Sequence, residues 1–229
     1  MSGRLLLLVL AMGGALAAWP AHARGPDEPR PPLAFTPPEP GTYELHRILR
    51  APDGPVLTVD GRPERLSRFL GERITLLGFI YTSCTDPEGC PLAYQVFVQL
   101  KTEVLAKPGL RDAVQLVTLS FDPERDSPAV MKRYAGSLLK EDGGVRWVFL
   151  TAPSVRDLMP LVEGFGQDVR YSIDSSSGRP VRQLSHVLKV FLIDRAGYVR
   201  EIYTSTFLYP QSILADVQTL LMEPANAPD

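Results

Sequence analysis

A chain of 229 residues, 45% hydrophobic and 22% charged, is long enough to bury the core of one domain and to carry appendages besides. Its 24 basic and 26 acidic residues are mixed along the length to a net charge of −2, which argues against a nucleic-acid surface and favours small-molecule or protein partners. Its thiols and imidazoles come from two cysteines and three histidines.

Arg4 precedes a short apolar run, residues 5–18, and Ala21-His22-Ala23 fits an A-x-A processing site, so residues 1–23 read as a secretory signal peptide. The alternative is an uncleaved membrane anchor, for which the run is short. Export, to the periplasm in a bacterial cell, would put both cysteines where unprotected thiols pair. Residues 24–41 contain Pro26, Pro29, Pro31, Pro32, Pro37, Pro38 and Pro40, which block helix and sheet and leave an extended linker.

The folded domain is expected over residues 42–222. Residues 43–49 and 56–59 suggest strands of an N-terminal hairpin around Ala51-Pro52-Asp53-Gly54, with a second turn at Asp60-Gly61 and a short helical piece at 66–70. The apolar run 74–81 predicts a buried strand. Pro91 then opens a helix over 92–106, where Leu92, Val96, Leu100 and Val104 make one stripe with Phe97 beside it. Residues 114–121 predict a second buried strand, Ser127-Pro128 caps a helix over 129–139, and a strand at 146–150 precedes a helix at 154–163.

Residues 174–178 are a surface loop by composition. Residues 187–193 and 198–203 flank Asp194-Arg195-Ala196-Gly197 as a hairpin, a helix covers 210–222, and residues 223–229 form a frayed tail. Early alternation of strands and helices, followed by a hairpin and a helix, predicts an α/β thioredoxin-like fold: a central mixed sheet flanked by helices.

Cys84 and Cys90 lie on the loop between the first buried strand and its helix, beyond a strand's carboxyl end, where open α/β sheets place their sites. A helix N-terminus stabilises a nearby thiolate, so the pair suits redox chemistry or metal binding. A structural disulfide in a secreted interaction domain is the third reading, weakened because so short a loop restricts the unfolded chain little.

Two thiolates and one imidazole would form a soft, low-coordinate site suited to Cu(I), with Cu(II) or Zn(II) tolerable. His22 belongs to the expected signal and His46 to an early strand, which leaves His186 as the candidate imidazole; its bland alternative is a strand-edge histidine bonded to backbone. Asp122 and Asp126 follow the second buried strand on the same side of the sheet and serve either the turn and helix cap or the orientation of a ligand. Asp86 and Glu88 between the cysteines read as solvated loop residues. Met131, Met159 and Met222 are remote from the cysteine loop in sequence, so no thioether cluster is expected.

The motifs Gly78-Phe79-Ile80-Tyr81-Thr82-Ser83-Cys84, Cys90-Pro91, residues 120–128 and Ser185-His186-Val187 through Gly197 resemble, in order, the Sco/SenC family over about residues 43–221. The resemblance implies a thioredoxin-like domain at the outer face of a membrane that binds one copper through Cys84, Cys90 and His186. It also implies a role in delivering copper to, or reducing the cysteines of, the binuclear copper centre of cytochrome c oxidase. Another copper or thiol protein is the alternative partner, and thiol-disulfide exchange is the alternative chemistry.

One departure stands at the centre of the pattern. Five residues, 85–89, separate the cysteines, against the family's usual three. Asp86-Pro87 and Gly89 favour a compact turn that still brings the sulfurs together. The longer loop moves Cys84 away from the helix N-terminus, so its thiolate is expected to be stabilised less than that of Cys90.

Overall fold

The structure, a computed structural model, describes residues 31–139, 145–174 and 181–223. The expected signal peptide, the linker up to residue 30, most of the loop after Asp174 and residues 224–229 lie outside the described residues.

In chain order the elements are β1 (Leu49–Arg50), β2 (Pro55–Thr58), β3 (Pro63–Arg65), a 3-10 turn (Leu66–Phe69), β4 (Ile74–Ile80), α1 (Cys90–Leu105) and α2 (Pro108–Arg111). There follow β5 (Val114–Ser120), α3 (Pro128–Ala135) with a 3-10 turn behind it, β6 (Arg146–Thr151) and α4 (Val155–Gly164). The chain ends with β7 (Val169–Asp174), β8 (Val181–His186), β9 (Lys189–Ile193), β10 (Tyr198–Thr204) and α5 (Pro210–Met222).

Eight strands form one sheet in the order β1-β10-β9-β4-β5-β6-β2-β3. β4, β5 and β6 run parallel, while β9 pairs antiparallel with β4. All seven residues of β4 and all seven of β5 are buried, as expected for strands covered on both faces. Alternate side chains divide the core: Leu76 and Ile80 pack with Leu92, Val96, Phe97, Leu100 and Val104 of α1 and with α5, whereas Leu77 and Phe79 pack with Leu158, Leu161 and Val162 of α4. Gly78 lets α1 approach closely, since a Cβ there would lie 3.3 Å from the Phe97 ring. The expected mixed sheet between helices is therefore present.

Four local features differ from the sequence reading. The first expected strand is reduced to Leu49–Arg50 and pairs with β10 at one edge, while the hairpin near the N-terminus is β2 with β3, turning at Asp60-Gly61. β2 lies toward the opposite side of the sheet, between β6 and the edge strand β3, because the short hairpin adds to whichever edge of the parallel strands is free. A separate two-stranded arm, β7 with β8, stands outside the main sheet; the alternation Val169, Tyr171, Ile173 was its signal. His46 is exposed and belongs to no strand. Glu223, expected in the frayed tail, is held by Arg200, whose guanidinium donates to Glu223 Oε1 at 2.7 Å and Oε2 at 2.9 Å.

Candidate metal centre

β4 ends at Ile80, and the chain then turns through residues 81–89 before α1 begins at Cys90. Two backbone bonds shape this loop: Cys84 N–H donates to the Tyr81 carbonyl at 3.2 Å, and Gly89 N–H to the Asp86 carbonyl at 2.9 Å. Asp86 also accepts from Glu88 N–H at 3.0 Å. A Cβ at Gly89 would sit 3.2 Å from the Asp86 carbonyl oxygen, so glycine keeps this turn tight.

The neighbouring strand end anchors the start of the loop. Asp126 is buried and accepts from Thr82 N–H at 3.0 Å, the Thr82 hydroxyl at 2.5 Å and the Ser120 hydroxyl at 2.6 Å. It thus ties a residue two positions before Cys84 to the end of β5. Asp122, also buried, has its N–H on the Ser120 hydroxyl at 3.0 Å and the Arg125 guanidinium 3.7 Å from its carboxylate. Ser127 caps α3 by accepting from Val130 N–H at 3.4 Å. Turn, cap and loop anchor are all built from residues 120–128.

His186 arrives from the far side as the last residue of β8, paired with Val169. The base of the arm is fixed beside it, by the Gln167 amide donating to the Val187 carbonyl at 2.8 Å and by Lys189 3.3 Å from Asp168. The imidazole lies edge-on to Phe121, with centroids 4.7 Å apart, and to Tyr81 at 5.9 Å. Its Nε2 is 3.5 Å from Cys90 Sγ. Its Nδ1 is buried without a hydrogen-bond partner among the described residues.

The two sulfurs and one ring nitrogen all lie within 4.8 Å of one another, with Cys90 buried and Cys84 and His186 half-buried. Among the described residues this is the one group of three metal-ligating side chains. Donors 96 residues apart along the chain meet because β4 and β9 are adjacent in the sheet.

The charge distribution reverses the order expected from the loop length. Cys84 is pulled far below the ordinary thiol range, first by the Cys90 thiol donating to it, against the cost of burial, and then by His186 and the N–H groups of Cys90 and Asp86. Cys90 is pushed up, by Cys84 and by its own burial. The five-residue loop therefore does not remove Cys84 from α1; it folds back to keep the Cys84 sulfur within 4.8 Å of that of Cys90, the first residue of the helix. One proton shared by two thiols leaves a thiolate at the more exposed sulfur.

A family model described as SCO1/SenC matches residues 56–222. Protein SCO2 homolog, mitochondrial, of Bos taurus is 39% identical over 74 residues, which is 32% of this chain and 26% of that protein, so the match spans about a quarter of the relative. The solution structure of apo Sco1 from Thermus thermophilus is 27% identical, covers 79% of this chain and 95% of its own, and superposes with a TM-score of 0.60. Arabidopsis thaliana ScoI, solved with copper bound, has the same fold at 18% identity, covering 75% of this chain and 97% of its own with a TM-score of 0.60. With a match that runs from β2 to the end of α5 and takes in both cysteines and His186, the chain belongs to the SCO1/SenC family.

Proposed function

We propose that the protein is a copper metallochaperone in which Cys84, Cys90 and His186 hold one copper ion and pass it to a respiratory oxidase copper centre. The observation that carries this reading is the convergence of two sulfurs and an imidazole nitrogen within 4.8 Å in a member of a family with copper-bound structures. Two thiolates and one imidazole favour Cu(I) through soft ligands and low coordination, and the same set accommodates Cu(II). Copper arriving at the site displaces the proton on Cys90 and meets a thiolate already formed at Cys84. A half-exposed Cys84 gives an incoming partner thiol access for ligand exchange.

The partner we assign is the copper-centre subunit of cytochrome c oxidase or another copper or thiol protein. Residues 1–23 serve as the export signal or, if retained, as an anchor, in which case residues 24–41 tether the domain to the membrane. No helix among the described residues is long and apolar enough to cross a membrane. Asp126 acts behind the ligands by fixing the loop that carries Cys84, and Asp122 supports it by holding the turn that presents Asp126. Anaerobic titration tests the assignment: reduced protein should take up one Cu(I), either Cys84→Ser or Cys90→Ser should abolish uptake, and His186→Ala should weaken it about tenfold or more, equal to 1.4 kcal/mol. Unchanged affinity in all three variants would overturn it.

A second reading draws on the uneven thiols. Cys84 thiolate can attack a partner disulfide, forming a mixed disulfide and releasing one partner thiolate; Cys90, after losing its proton, then attacks Cys84 Sγ and releases the second. The protein is oxidised by two electrons and the partner reduced. This route does not need His186 as a ligand, so reductase turnover that survives His186→Ala while copper affinity falls separates the two.

A further inference from the structure

His186 sits where the arm joins the main sheet: β8 ends at His186, Val187 and Leu188 follow, and β9 begins at Lys189. Val187 is 51% exposed, so its side chain does little to fix this junction. Ties to it come from the segment after α4, and they are unequal. Lys189 Nζ donates to the Gly166 carbonyl at 2.5 Å and lies 3.3 Å from Asp168, but both contacts are at the surface, where an ion pair holds little. The Gln167 amide nitrogen donates to the Val187 carbonyl at 2.8 Å from a residue only 3% exposed. Gln167 Oε1 is buried without a partner among the described residues, so the donor half of the amide is the half in use. A flipped amide would set oxygen against the Val187 carbonyl and lose the bond.

Gln167 is itself held by the core. Its N–H donates to the Val162 carbonyl of α4 at 2.9 Å, and Phe165, two residues earlier, packs against Phe79 of β4 and Phe191 of β9 with centroids 5.5 and 5.0 Å apart. We propose that Gln167 is a positioning residue for the imidazole ligand: by clamping the carbonyl after His186 to the core, it stops the arm hinging at Val187-Leu188 and keeps Nε2 at its 3.5 Å from Cys90 Sγ. A ligand ordered in advance spares an incoming ion the cost of ordering it. The clamp stands on the hydrogen bonds alone; its consequence for copper rests on the copper reading above.

Gln167→Met keeps the side-chain length and removes the donor. In the metal-free protein the NMR signals of the His186 ring, identified by their loss in His186→Ala, should move or broaden, and Cu(I) affinity should fall about tenfold. The same substitution added to His186→Ala should cost nothing further, because the clamp acts through a ring that is no longer there. Lys189→Met, which removes only the surface ties, should leave both readings at the wild-type value. Gln167→Asn, whose amide is one methylene too short for the bond, should reproduce the loss and remains readable if Gln167→Met folds poorly. Ring signals or an affinity that stay at wild-type values in a folded Gln167 variant, an equal loss in the His186→Ala background, or a loss as large in Lys189→Met overturns the proposal. Wild type that takes up no Cu(I) sinks the copper reading and leaves the metal-free ring signals to decide the clamp.

Discussion

Tyr43 and Tyr203 each donate to one oxygen of Asp216, at 2.6 and 2.5 Å, whereas the two sulfurs and the imidazole nitrogen of Cys84, Cys90 and His186 gather within 4.8 Å of one another. Both are partly buried polar clusters assembled from distant stretches of chain. In the first, two hydroxyl protons meet two carboxylate oxygens, and the result pins the N-terminal segment and β10 to α5. In the second, soft donors share too few protons, and His186 Nδ1 is left without a partner among the described residues. A cluster whose donors and acceptors match holds the fold; one with lone pairs in surplus has capacity for an ion.

The sharpest way to test that contrast is to break a matched cluster and ask whether the site notices. Arg200 is buried at the β10 edge, bonded to the Leu45 carbonyl at 2.8 Å, to Asp194 at 2.9 Å and to Glu223. Arg200→Ala strands the buried Asp194 charge and should cost about 3–5 kcal/mol in urea unfolding, while Cu(I) affinity of the folded fraction stays at the wild-type value. A large loss of affinity in the folded fraction would erase the distinction between the two regions.

Asp126 belongs to both kinds, a matched hydrogen-bond hub placed behind the ligand loop. Asp126→Ala leaves Thr82 and Ser120 without their acceptor and should lower both stability and Cu(I) affinity, the latter by about 10–100-fold, as for other groups that orient metal ligands. A competition titration alongside the unfolding curve reads both effects.

The smallest effect concerns pH. Burial holds the Asp216 carboxyl above its ordinary range, outweighing the downward pull of the two tyrosine hydroxyls. A group raised in the folded state contributes stability that is fully present below its unfolded value, about 3.9, and is lost as pH rises through the folded value. The Asp216 contribution to the urea midpoint, read as wild type minus Asp216→Asn, should therefore decline over that interval, whatever the opposing slope from Asp53 and Asp60, whose carboxyls are held below their ordinary range. A difference between wild type and variant that grows as pH rises through the same window would contradict the burial argument.

Where function was legible in the sequence, it was legible locally. An apolar run, two cysteines, a proline and a four-residue stripe place the thiols between β4 and α1 because strand burial and helix periodicity are properties of neighbouring residues. Motif order extended that to His186. The β7–β8 arm that carries this histidine went unseen because its alternation is short and its strands lie outside the main sheet. The early strand over 43–49 shrank to Leu49–Arg50, since edge pairing depends on which neighbour is free.

By itself, then, the sequence determined the fold class, the placement of the cysteine loop and the identity of the three candidate donors, all through periodicity and motif. The tertiary structure alone decided that Asp126 anchors the loop, that Tyr81 stands between Cys84 and His186, and that the thiolate belongs to Cys84. The reason is electrostatic: proton sharing depends on burial and on which N–H groups point at a sulfur, and a linear spacing of five residues contains neither.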